Sequence, residues 1–200
     1  MSAGDSLRAR LRYVAPPTSG RLTESEFLLA GATAGVLGWG GTQLLSWVDP
    51  PRAAFLAVAL WVVLVAGFSA LTVLHGPDET RFSDAMFVWA TVNSAATALS
   101  LAGLAGLVPG QVAFWHGWVA AAAVGYCWTG GLLAGAGQRG RGRGYLAAGL
   151  VALSVLLVGT VAFARVESVA FVLLALLHAI PLGLDARRQS WDAPTGTPVG

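Results

Sequence analysis

Three residues of this chain place polar chemistry in an apolar setting: Asn93, Tyr126 and His178. Each falls near the middle of a long apolar run, where an amide, a phenol or an imidazole must find its partners in protein. Without a fixed charge between them, the three could line a path for a small neutral or weakly polar solute. Pro181 adds to this spot. It removes the amide that would bond the carbonyl of Leu177, so the sequence predicts a kink beside His178 with a spare acceptor. The competing expectation is that Asn93, Tyr126 and His178 are interhelical hydrogen bonds, worth about 1 kcal/mol each.

Redox chemistry would use His116 and His178 as axial haem ligands. At 1.5 Å per residue the first lies ~7 Å and the second ~15 Å from the same end of the bundle, a poor match for one haem. His75 falls at a helix end. Cys127 is the only cysteine, so neither an internal disulfide nor a cysteine metal cluster can form. A membrane serine hydrolase needs a glycine-flanked serine turn facing a histidine. The nearest stretch, Gly67 to Ala70 around Ser69, has no such partner. No lysine is present, which excludes a retinal Schiff base. No catalytic motif, metal set or cofactor follows from these residues, and the expectation is a protein that is not an enzyme.

Charge is sparse and marginal. All 12 basic residues are Arg, a bias expected of a GC-rich prokaryotic genome, and the net charge is only +2. The basic residues cluster beside the apolar runs, which points to a lipid bilayer rather than nucleic acid. The ten acids and twelve Arg all fall in predicted tails, loops or helix ends, leaving no formal charge in the interior. Ion-coupled carriers and proton relays, which place carboxylates or Arg within the membrane, are disfavoured accordingly.

The elements that must position these residues are helices long enough to cross a bilayer. The 200 residues are 56% hydrophobic and 11% charged, well below the roughly 25% charged content of soluble domains. Six apolar runs of about 20 residues predict an all-α, polytopic bundle of six transmembrane helices. The runs cover about 27–47, 53–74, 84–107, 111–136, 145–164 and 168–184. Three domains follow: a polar, basic tail over 1–22, the helical domain over 23–186 and a disordered tail over 187–200. Leu7, Leu11 and Val14 mark an interfacial helix in the first tail. Thr23 and Glu26 have capping-box spacing at the start of the first span. Turns are expected at Asp49 to Pro51, at Gly76 and Pro77, and at Pro109 and Gly110.

Orientation follows the arginines. With both termini cytoplasmic, ten of them lie inside and only Arg52 and Arg165 outside. A multi-pass protein of the prokaryotic plasma membrane is expected. Trp47, Trp115 and Trp118 should anchor the outer interface, and Trp89, Tyr145 and Trp191 the inner one. Thr91, Ser94, Thr97 and Ser100 make the third span the expected centre of the bundle. Small-residue faces should carry the packing: Gly31, Gly35 and Gly38 on the first span, and Gly117, Ala121 and Gly125 on the fourth. The same faces could join two copies or a membrane-complex partner. Three function classes remain: a permease or channel for a small neutral or weakly polar solute, a non-catalytic membrane subunit or scaffold, and a haem-bearing redox protein.

Overall fold

The structure, a computed structural model, describes residues 21–192. Among them the chain is helical, without strands. Helix α1 spans Glu24–Val48, α2 Ala53–His75, the single-turn α3 Asp78–Arg81 and α4 Asp84–Leu104. A π-turn, Val112–His116, runs into α5, Gly117–Gly135. Helix α6 spans Arg139–Val166, followed by a 3-10 turn, Glu167–Val169, and by α7, Ala170–Asp192. Among the described residues four stretches are long and apolar enough to cross a membrane: α2, α4, the π-turn with α5, and Arg139–Gln189, which holds α6 and most of α7. By these helices the chain is a membrane protein. The first helix is not among them, because Gly31, Gly35, Gly38, Gly40 and Gly41 with Thr42 and Gln43 dilute its hydrophobic run.

Helix α1 begins where the capping box places it. The Glu26 amide donates to Thr23 Oγ1 at 3.2 Å, and the Thr23 amide donates to Glu26 Oε2 at 2.8 Å. The Thr23 amide, and with it the Thr23 hydroxyl at 2.8 Å, donate to the ionised carboxylate and hold Glu26 below the usual carboxylate range. A depressed carboxyl contributes its stabilisation above the ordinary glutamate range and loses it only as pH falls through the lowered value. The cap therefore survives mild acid. Thr23→Val is expected to return Glu26 toward the ordinary range, read from its side-chain carboxyl chemical shift against pH.

Several boundaries differ from those the sequence predicts, each for a local reason. Helix α4 ends at Leu104, before Pro109, because Gly106 at φ 72° lets the Leu107 amide turn back to the Ala102 carbonyl at 2.9 Å. Helix α6 begins at Arg139 rather than Tyr145, so the Gly-Arg stretch is helix and not loop. Helix α7 passes through Pro181 and continues to Asp192, well beyond the expected end at Leu184. The break in helical dihedrals instead lies in α6, at Ala162 (φ −138°, ψ 28°). The expected leader helix over 7–14 and residues 193–200 lie outside the described residues, as does the side chain of Trp191.

The centre of the fold is α5, not the predicted third span. Half of the apolar window of α5 is buried, against 11% for α4 and 6% for α2. Its runs of Ala and Gly let neighbours close in on several sides, while Val124 and Trp128 stay exposed. Gly117 lies against Leu99 and Gly125 against the Trp89 indole, both on α4, while Ala121 is buried beside them. On α6, a Cβ at Gly142 would stand 2.8 Å from the Ala134 nitrogen and the Gly130 oxygen, so the α5 and α6 backbones nearly touch. On α1, Gly35 faces His178 of α7, Gly38 faces Trp61 of α2, and Gly31 has Leu182 and Phe68 at 3.6 Å. Both small-residue faces are thus filled by helices of this chain. Large apolar side chains cover the outside instead, among them Phe55, Val62 and Val63 on α2 and Leu150, Leu157 and Val161 on α6. That exterior suits hydrocarbon rather than water.

Candidate functional site

Two of the three predicted polar residues meet, in an aromatic layer across the middle of the helices. The Tyr126 ring (α5) lies 6.3 Å from the His178 ring (α7) and 4.8 Å edge-on from Trp89 (α4). The His178 ring also stands 6.1 Å from Trp39 on α1. His178 Nδ1 is 2.9 Å from the Leu174 carbonyl, which can only accept, so Nδ1 donates and the neutral ring keeps an acceptor at Nε2. Tyr126 is fully buried, and its hydroxyl has no hydrogen-bond partner among the described residues. Asn93 is half-buried on α4, one turn from Trp89. The aromatic contacts of His116 belong to a different group: its ring packs on Trp115 at 5.0 Å and Phe163 at 5.9 Å. His116 and His178 therefore sit among separate sets of aromatic rings.

Above this layer, toward the Asp49 to Pro51 turn, a cavity of about 460 Å³ opens between α1, α2, α4 and the start of α5. Pockets of this size hold a drug-sized molecule. Trp39, Trp61, Trp118, Phe114 and Phe171 are its aromatic lining, with Ala57 and Val58 beside Trp61 on α2. The indoles brace one another: Trp39 stands 4.5 Å from Trp61 and 5.1 Å from Trp118. Gly38 makes this possible, since any Cβ there would collide with the Trp61 ring. No lining residue carries a charge. Neither Asn93, Tyr126 nor His178 lines the cavity.

Hydrogen bonds fix the walls of this end. Ser100 donates to the Ala113 carbonyl at 3.0 Å and accepts from Trp118 Nε1 at 2.9 Å. Gln43 Oε1 receives the Phe171 amide at 3.1 Å, covering an otherwise open donor in the first turn of α7. Trp115 Nε1 donates to the Ala170 carbonyl at 3.0 Å, and Gly159 leaves room for its ring. Trp115 and Trp118 are therefore buried structural residues, not the interfacial anchors that their sequence positions predict.

The opposite end is closed by charge, near the ends of three helices. Arg141 on α6 grips Asp185 on α7 bidentately, Nε to Oδ1 and Nη2 to Oδ2, both at 2.7 Å. Its Nη2 also reaches Glu24 Oε1 on α1 at 2.8 Å, and Nη1 reaches Gln138 Oε1 at 2.7 Å. Tyr145, one turn beyond Arg141, donates to Asp185 Oδ2 at 2.9 Å. Asp185 is only 4% exposed, Arg141 is partly buried, and Glu24 and Gln138 reach the surface. Tyr145 is buried with it rather than lying at an interface. The cluster is invisible to a reading that ends the last span at Leu184, although the i, i+4 spacing of Arg141 and Tyr145 is the signal that marks one face of a continuing helix.

The arrangement as a whole is a neutral, tryptophan-walled chamber at one end, an aromatic layer across the middle and an ion-paired clasp at the other end. Comparison with protein-family models, with characterised proteins and with solved structures gives no match for this chain.

Proposed function

We propose that this chain crosses the membrane six times, through α1, α2, α4, the π-turn with α5, α6 and α7, and that it binds and passes a small neutral or weakly polar solute. The observation that carries this reading is the 460 Å³ cavity with no charged lining residue. Its one-sided position supports passage by alternating exposure: the chamber lies at the Pro50 end, and Arg141 ties α1, α6 and α7 together at the other. The arginine distribution supports placing the clasped end, with both termini, in the cytoplasm of a prokaryotic cell. The chamber then faces outward.

The test is solute flux into proteoliposomes holding the full chain, using acetamide, glycerol and benzamide as uncharged probes and acetate as the charged control. At least one uncharged probe is expected to enter several-fold faster than into protein-free vesicles. Ala57→Leu, which fills the cavity from α2, is expected to abolish that gain. Equal rates with and without protein would overturn the proposal.

A second reading, a non-catalytic membrane subunit, is favoured by one observation. Tyr126 and His178 are packed against aromatic rings and do not line the cavity, as packing groups of a scaffold would be. Absent flux together with stable co-purification of a membrane partner would select it.

A further inference from the structure

We infer that the ligand of the cavity is an uncharged, lipid-soluble ring compound bearing a hydrogen-bond acceptor, taken from the bilayer between α2 and α4. This rests on the cavity being the solute site and narrows the class of solute it takes.

Three features lead to that class. The first is the wall itself, in which three indoles and Phe171 present broad aromatic surface, the kind that stacks on a flat ring. The second is the way in. Val62, Val65 and Ala66 on α2 and Thr97 on α4 line the cavity and are also exposed on the apolar outer surface, so the chamber reaches the flank of the protein. Along that flank α2 is hardly covered, with only 6% of its apolar window buried. In a bilayer this opening faces hydrocarbon, which admits a solute that partitions into lipid.

The third feature is the polar capacity left open. Four hydroxyls belong to the lining residues. Thr42 donates to the Gly38 carbonyl at 2.8 Å, Ser46 to the Gln43 carbonyl at 2.7 Å and Ser100 to the Ala113 carbonyl. The Thr97 hydroxyl makes no such bond among the described residues and stands on an exposed residue at the mouth of the cavity. The indole N–H groups of Trp39 and Trp61 also lack an acceptor, but they are sealed inside the packing and offer no surface to the cavity. Away from water a hydroxyl donor left unmade is costly, so the complement this wall lacks is an acceptor such as a carbonyl oxygen. A hydrocarbon would leave the Thr97 donor unmet, and an anion would meet no countercharge.

Coumarin and naphthalene separate these features, since both are flat, uncharged bicyclic rings and only coumarin carries a carbonyl. Tritiated forms of each would be equilibrated by dialysis against proteoliposomes of the full chain, with binding to protein-free liposomes subtracted. Coumarin is expected to saturate near one per chain and to bind about 3- to 10-fold more tightly than naphthalene, the range of one net hydrogen bond. Thr97→Val is expected to reduce that preference. Ala57→Leu should remove saturable binding, and the exposed Ala66→Leu at the mouth should do the same if the first variant does not fold. Equal affinity for the two rings would overturn the acceptor requirement. Coumarin binding that survives both cavity-filling variants would place the site elsewhere and overturn the inference. No saturable binding of either ring, with flux of acetamide or glycerol intact, would overturn the ring-compound class while leaving solute passage standing. Loss of both flux and binding would remove the two readings together.

Discussion

Asp185→Ala is expected to destabilise the protein by about 3 kcal/mol, the lower end of the cost of leaving one partner of a buried ion pair behind. For a chain of this size that corresponds to roughly 6–12 °C in the melting temperature measured in mild detergent. The reason lies in the partners. Asp185 satisfies two nitrogens of Arg141 and the hydroxyl of Tyr145, and its side chain is 5% exposed. Without it the guanidinium, itself 21% exposed, keeps only Glu24 and Gln138. Arg141→Met is expected to cost a similar amount. The double variant Arg141→Met with Asp185→Leu should recover much of the loss, because an apolar pair of similar volume avoids the desolvation that the charges require. Losses that simply add in the double variant would show that the two residues act independently, against the geometry.

Gly142→Leu should have the other large effect, a loss of folded protein rather than a shift in melting. A Cβ at this position meets main-chain atoms of α5, the Ala134 nitrogen and the Gly130 oxygen, each at 2.8 Å. A flexible side chain could move aside, but here two helices must separate, and in a bilayer such close approach is what replaces the missing hydrophobic drive between helices. Gly149 is similarly constrained, its Cβ position lying 2.9 Å from the Cys127 nitrogen. Gly131 and Gly135 provide the contrast on α5, with nothing within 4 Å. Gly131→Ala is expected to be neutral or stabilising by up to about 1 kcal/mol, the helix-propensity difference. Size-exclusion profiles after detergent extraction read the first effect, and thermal melts the second. A monodisperse Gly142→Leu protein with wild-type melting would contradict the close α5 and α6 contact.

Much of the helical plan is legible in the sequence because apolar length and turn residues are local signals. The capping box at Thr23, the starts of α2 and α4 and the small faces of α1 and α5 can all be read from spacing alone. What escapes is whatever depends on which helix stands beside which. Thr91, Ser94, Thr97 and Ser100 mark the third span as polar, yet Thr91 satisfies itself on the Phe87 carbonyl of its own helix, and the centre falls to the Ala-rich α5. A tryptophan near the end of an apolar run reads as an interfacial anchor, whereas Trp115 is buried because Gly159, on another helix, leaves a place for it. Asp185 reads as a residue just past the last span because nothing near it in sequence announces Arg141. The cavity was equally hidden, being bounded by side chains from five separate elements.

The helix least fit to enter a bilayer alone is made long before the helix that covers it. Helix α1 carries the polar and glycine-rich face described above, and the groups that cover it come mostly from α7: His178 over Gly35, the Phe171 amide on Gln43, and Ser168 just before α7 receiving the Trp47 indole at 3.2 Å. The last two contacts close loops of 128 and 121 residues. During synthesis, therefore, α1 waits for the intervening helices before this neighbour emerges, and the contacts that lock it are among the slowest to form. The bundle closes when α7 is delivered back onto α1.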